Sequence, residues 1–263
     1  MLIDTHCHLA AAEFAADRDE LLEAARLSGV AAIVVPAVDA ASFAEVYDCC
    51  RRYADECAPA YGIHPLYVQH AGKDDLGTLR EWLVRASDAP QRPLAVGEIG
   101  LDFFVADRQI EQQEFFFVEQ LKIARDMELP VLLHVRRAVD QVLKNLRRIR
   151  VTGGIAHAFN GSRQQAEEFL RLGFKLGFGG AMTYSGSTRI RQLAAALPLD
   201  AIVLETDAPD MPPAWLAGGR NTPAQLSRIN TVLAELRGID ASELAKATAL
   251  NAMAVLPRLR SAD

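Results

Sequence analysis

MLIDTHCHLA (residues 1–10) begins apolar and ends with two histidines one residue apart. In a β-strand, residues i and i+2 face the same side. Read as a strand over Leu2–Leu9, the stretch aims His6 and His8 one way and Cys7 the other. Two imidazoles on one face suit a divalent cation, and equally suit hydrogen-bonded core histidines. The residues after this first strand decide the fold class. A nucleotide-binding doubly wound sheet would place GxGxxG directly after it; no such pattern is present there, and GxxxxGK[ST] occurs nowhere in the chain.

Instead, short apolar runs alternate with longer amphipathic ones. Seven further runs read as strands: Ala31–Val38, Ala58–Pro65, Pro93–Asp102, Pro130–Arg136, Gly153–Phe159, Lys175–Met182 and Ile202–Pro209. Several are continuously apolar, as strands of a parallel sheet buried on both faces are. The intervening segments carry helical spacing and end signals. DRDELLEAARLSG stops at Gly29, and SRQQAEEFLRLG opens on Ser162 as N-cap and stops at Gly173. TPAQLSRINTVLAELRG offers Thr222 as N-cap, Pro223 at the first helical position and Gly238 at the end. The segments from Asp107 to Pro130 and from Asp240 to Leu256 supply two more helices. Eight strand–helix repeats in 263 residues predict an α/β fold of the (β/α)8 TIM-barrel class, one domain over 1–263, with an open doubly wound sheet as the rival.

Half of the residues are apolar and the formal net charge is −6, unlike a strongly basic nucleic-acid binder. No apolar run approaches the ~20 residues that span a bilayer, so no membrane association is expected. Asp4 interrupts the start, where a secretory signal would become apolar; a cytoplasmic protein is expected. Four cysteines without a CxxC pair predict neither a disulfide framework nor a cysteine zinc site. Cys49, Cys50 and Cys57 read as buried fillers of an amphipathic segment.

A barrel places its chemistry at the C-terminal ends of its strands. Of six histidines, His6, His8, His64, His134 and His157 fall at or near such ends, and His70 falls in a loop. Glu98 and Asp102 lie late in the fourth strand, and Glu205 and Asp207 late in the eighth. An acid inside an apolar strand is costly unless paired or metal-bound. Singly, His134 reads as a core histidine, Glu98 as a hydrogen-bonded buried acid, and His64, before Pro65, as a turn residue. Jointly they could enclose one cation, or a pair ~3.5–4 Å apart.

In order along the chain, DTHCHL, GIHP, GEIGLD, HVR, HAFNGS and ETDAP resemble the motifs of the TatD family of metal-dependent hydrolases, TatD-type deoxyribonucleases among them. HAFNGS and ETDAPDMPP resemble its YjjV-like branch. The resemblance implies a TIM barrel with two divalent ions, of Zn, Mn, Mg, Fe or Co. His6, His8, Glu98, His134, His157 and Asp207 would be ligands, with Glu98 bridging. His64, Arg136 and Asn160 match positions outside the ligand set and are assigned to substrate; Asp102 and Glu205 also match positions near the metals. NAMAVLP near the C-terminus departs from the family pattern, in a helix away from the site.

Such a site implies hydrolysis. Cations acidify a water, and Asp207 with Glu98 would carry the catalytic work. Two divalent ions outweigh two carboxylates, so the pocket is positive within an acidic protein. Arg136 shares the His134 face by strand alternation and its planar fork fits a phosphate, while Arg137 points elsewhere. A phosphodiesterase or deoxyribonuclease acting on DNA ends, or on a small phosphoester, is the leading expectation; an acidic surface argues against gripping a long duplex. No obligate protein partner is evident. A carboxylic ester or amide hydrolase, such as an aminoacyl-tRNA deacylase or amidohydrolase, is the second. It is weakened because many such enzymes bridge their metals with a carboxylated lysine, which strand four lacks. A metal-stabilised scaffold without catalysis is the third. GFGGAMTYSGS could bring backbone close to a ligand or serve barrel packing; Trp215 could stack on a base or pack under its own loop, which also carries Arg220.

Overall fold

The computed structural model describes residues 1–87 and 91–259. Eight parallel strands lie in sequential order in one sheet. They are β1 (Leu2–Asp4), β2 (Val30–Pro36), β3 (Cys57–Tyr61), β4 (Ala95–Asp102), β5 (Val131–Arg136), β6 (Gly154–Ala156), β7 (Phe174–Phe178) and β8 (Ile202–Leu204). The Thr5 amide donates to the Leu204 carbonyl at 3.0 Å and the Asp207 amide to the His6 carbonyl at 2.8 Å, so the first and last strand exits meet. This is a (β/α)8 TIM barrel.

Each strand is followed by helix: α1 (Arg18–Leu27), α2 (Phe43–Arg52), α3 (Lys73–Ser87), α4 (Ile110–Asp126), α5 (Val139–Arg148), α6 (Arg163–Arg171) and α7 (Thr188–Ala196), then α8 (Leu226–Arg237) and α9 (Ala241–Val255). Ser162 caps α6, accepting from the Gln165 amide while Gln165 reaches back. Thr222 makes no side-chain cap; Pro223–Gln225 form a 3-10 turn, and α8 starts only at Leu226. Proline fixes the entry angle there and the turn must close before the helix begins.

Strand alternation divides the core. Ile3, Val34, Ala60, Ala95, Leu132, Ile155 and Val203 fill the barrel, continuous with Leu256 and Leu259 past α9. Arg258 donates to the Pro93 carbonyl just before β4, which puts this end at the N-terminal mouth. The opposite mouth is left to polar residues. Outward residues such as Ile33, Val131 and Leu176 pack with the helices. All four cysteines are free and buried there; Cys57 opens β3 and does not share a helix with Cys49 and Cys50.

Every strand is shorter than its apolar run, three of them by four residues or more. β1 stops at Asp4, β6 at Ala156 and β8 at Leu204, not at Leu9, Phe159 and Pro209. Past β1, the amides of Thr5, Cys7 and His8 donate in turn to Leu204, Val34 and Ala208, so the chain stays extended between neighbours without a regular ladder. Past β6 and β8, Ala158 and Asp207 turn left-handed, at φ 46° and 57°. The chain leaves the sheet where its polar side chains must lean over the mouth.

Candidate metal centre

Glu98 sits in β4 and is 1% exposed. Its position depends on a close approach: Gly100 has φ 153°, and a Cβ there would lie 1.9 Å from the His134 carbonyl oxygen. One carboxylate oxygen, Oε2, lies 3.0 Å from His6 Nε2 and 3.4 Å from His8 Nε2. The other, Oε1, lies 2.9 Å from His134 Nδ1, 2.9 Å from His157 Nε2 and 3.5 Å from His64 Nε2. Asp207 Oδ1 completes the first group, 3.7 Å from both His6 and His8. Strand exits 1, 3, 4, 5, 6 and 8 thus converge on one carboxylate.

These spacings test the fit of a cation. Two nitrogen or oxygen ligands ~2.1 Å from a tetrahedral ion lie about 3.3–3.4 Å apart. His6 and His8 present their Nε2 atoms to each other at 3.3 Å, and His157 Nε2 lies 3.5 Å from His134 Nδ1. Among the described residues, three sets could hold an ion: His6, His8 and Asp207; His6, Glu98 and His157; and His64, Glu98 and His134. The donor set fits a divalent metal.

The electrostatics point the same way. Burial opposes charge on Glu98, but His6, His157, His64 and His134 outweigh it and hold the carboxyl well below the usual range. Burial likewise opposes charge on His157, yet Glu98 and Asp207 push it up to about 10. His6, buried and repelled by His157, is pushed down to about 4. The centre calls for positive charge between these groups, which a cation supplies without protonating its ligands.

A supporting layer surrounds them. Asp102 Oδ2 accepts from His134 Nε2 at 3.0 Å, which leaves Nδ1 as the lone-pair atom facing Glu98. Glu205, pushed up to about 8 by burial, accepts from the Ala158 amide and lies 3.8 Å from His157 Nδ1. Asp4, pushed up to about 7 by burial, accepts from Thr206 Oγ1 at 2.6 Å, the Thr206 amide at 2.9 Å and the His6 amide at 3.3 Å. On α4, Gln113 exchanges two hydrogen bonds with the Asp102 backbone and Gln120 two with Ile63, beside His64. Asp4, Thr206 and both glutamines escape a reading of the sequence alone. A polar residue recurring at i and i+7 on a buried helix face is the available signal.

The remaining predicted residues divide. His64 is buried, with its Nε2 3.5 Å from Glu98 Oε1. Arg136 ends β5, half exposed, 4.0 Å from Asp102. Arg137 does not point away: at φ 54° it leaves the strand, and both guanidiniums lie over the Phe104 ring. Asn160 is exposed and its Oδ1 accepts from Arg189 of α7. The glycines at the end of β7 and just past it serve packing: a Cβ on Gly177 would meet Glu205 Oε2 at 2.1 Å and one on Gly180 the Met211 carbonyl oxygen at 2.2 Å. Trp215 packs on its own loop, donating to Gln225 beneath Arg228, and Arg220 pairs with Asp17. His70 is exposed, at the end of a 3-10 turn.

A barrel whose C-terminal mouth gathers histidines around one bridging carboxylate has the architecture of a metal-dependent hydrolase. The family model described as TatD related DNase matches residues 3–257, and the chain belongs to the TatD family. It is 43% identical over 246 residues to YjjV of Escherichia coli K12, an uncharacterized metal-dependent hydrolase, covering 93% of each chain. The crystal structure of that E. coli protein superposes with a TM-score of 0.93 over 98% of each chain. A 3'-5' ssDNA/RNA exonuclease TatD from Erwinia tasmaniensis is 33% identical, over 95% of this chain and 98% of its own. Among the described residues no helix is long and apolar enough to cross a membrane.

Proposed function

We propose that the protein is a two-cation phosphodiesterase acting at nucleic-acid ends, a deoxyribonuclease in its leading form. The observation that carries this reading is Glu98, which offers one oxygen to each of two ligand groups at 2.9–3.0 Å. His6, His8 and Asp207 would hold one cation, and His134 and His157, with His64 beside them, the other. Bound there, the cations would polarise a phosphoryl oxygen and acidify a water.

The protein's own groups do the rest. Asp207 turns one oxygen to His6 and His8, and its side chain makes no hydrogen bond among the described residues. Its other oxygen is therefore available to take the proton of the attacking water. Glu98, held ionised by its imidazoles, fixes the spacing of the two halves. Asp102 keeps His134 in one tautomer. Arg136, half exposed where β5 ends, would supply a guanidinium to a phosphate. The kinship with an exonuclease in Erwinia supports nucleic acid as the substrate class.

The test is turnover of bis-p-nitrophenyl phosphate beside a panel of acyl esters. Phosphodiester hydrolysis that needs added metal and vanishes in Glu98→Ala is expected. Undiminished turnover after chelation, or acyl esters consumed in preference, would overturn the reading.

A further inference from the structure

We propose that Phe104, Arg136 and Arg137 form a stacking plate for the unpaired nucleotide beside the bond to be cut. This deepens the phosphodiesterase reading and rests on it. An exposed ring alone means little. Phe104, 46% exposed, is set apart by placement and by charge.

Its placement is tied to the centre. The Phe104 amide donates to Asp102 Oδ1 at 2.8 Å, and Asp102 Oδ2 holds His134 at 3.0 Å. One buried carboxylate therefore fixes both the ring's backbone and a candidate ligand. Its charge comes from two arginines, with Cζ atoms 3.8 Å and 4.6 Å from the ring centroid. Neither is well neutralised. The carboxylate nearest Arg136, at 4.0 Å, is already engaged by His134 and Phe104, and Arg137 forms no ion pair among the described residues. Three flat groups offer a stacking surface to a base, and the two guanidiniums offer N–H donors to the next phosphate. Bases in a duplex are already stacked and gain less, so the plate favours an unpaired end.

The experiment measures binding of fluorescein-labelled tetrathymidylate by anisotropy, with chelator at low salt, so that no hydrolysis intervenes. Phe104→Ala should weaken binding about tenfold, within the range for one stacked base, and Phe104→Trp should retain it. Phe115→Ala is the control: its ring on α4 is also exposed and also lies near a cation, Lys73 Nζ at 5.6 Å, yet it should bind as wild type. Arg136→Gln and Arg137→Gln should each lower the slope of log K against log salt by about 0.7. Melting curves verify that each variant is folded. Absence of binding by the wild type, equal binding by Phe104→Ala, or a duplex held as tightly as the single strand would overturn the plate. None of these results bears on bis-p-nitrophenyl phosphate turnover, which decides the underlying reading separately.

Discussion

The two halves of the centre share Glu98 but are held in place by different means. On the β1–β8 side, a buried carboxylate, Asp4, gathers Thr206 and the His6 amide with three hydrogen bonds. On the β3–β5 side, neutral amides do the holding: Gln113 and Gln120 reach inward from α4 and pair with the backbone beside Asp102 and His64. The first half is secured by contacts between strand exits themselves, where the barrel closes. The second is secured from outside, by a helix one layer away. A cation position can thus be disturbed without touching any ligand, and the two halves should fail separately.

The largest effect should come from the group they share. Glu98→Gln keeps the shape and removes the charge. Metal content measured by atomic emission should fall from about two ions per chain to below one, and phosphodiester turnover by at least about 10²–10³-fold. Retention of two ions would show that the halves do not need their common carboxylate. Next comes Asp102→Asn, which leaves one acceptor oxygen where the Phe104 amide and His134 Nε2 now each have their own. Loss of such a partner typically lowers metal affinity about 10–100-fold. A cobalt titration should show one weakened step and one unchanged step, the latter belonging to His6, His8 and Asp207. Two steps weakened alike would erase the distinction between the halves.

The same distinction governs how much of this arrangement is legible in the sequence. The barrel is legible because apolar runs of strand length recur between helical patterns, and the candidate cluster because its histidines and carboxylates gather at strand ends; the choice of ligands within it rests on the resemblance to the TatD motifs. The converging side chains His6, His8, Glu98, His134, His157 and Asp207 all stand out by position. The supporting layer does not. Gln113 and Gln120 look like ordinary polar residues of an amphipathic helix, and their backbone partners carry no sequence mark. Arg137 defies its expected direction because strand alternation fails at the residue where φ turns positive. Asn160, expected at substrate, is engaged by Arg189 from α7, a pairing that only the packing of distant segments creates.

Below these in size stands Gln113→Leu, which tests the outer support. Leucine fits the helix and the buried face, but it strands the Asp102 amide and carbonyl without partners. The loss should be about 1–3 kcal/mol of stability, read from urea unfolding of the chelated protein. Cobalt binding should weaken at the His64, His134 and His157 step and not at the other. A stable variant with both steps intact would show that α4 merely fills space beside the centre.

The smallest change is the matching one on the other side. Thr206→Val preserves shape and removes a single donor, the Oγ1 that reaches Asp4 at 2.6 Å. Asp4 keeps the Thr206 and His6 amides, at 2.9 Å and 3.3 Å, and the one group abandoned is the buried Ala208 amide, whose bond to the same hydroxyl is long, at 3.3 Å. Because the carboxyl spreads its acceptors over three donors, the loss should be about 1 kcal/mol, less than for Gln113→Leu. It should fall on the His6 side of the cobalt titration. A loss exceeding that of Gln113→Leu would mean that the closing seam between β1 and β8, and not the α4 clamp, is the weaker support of the centre.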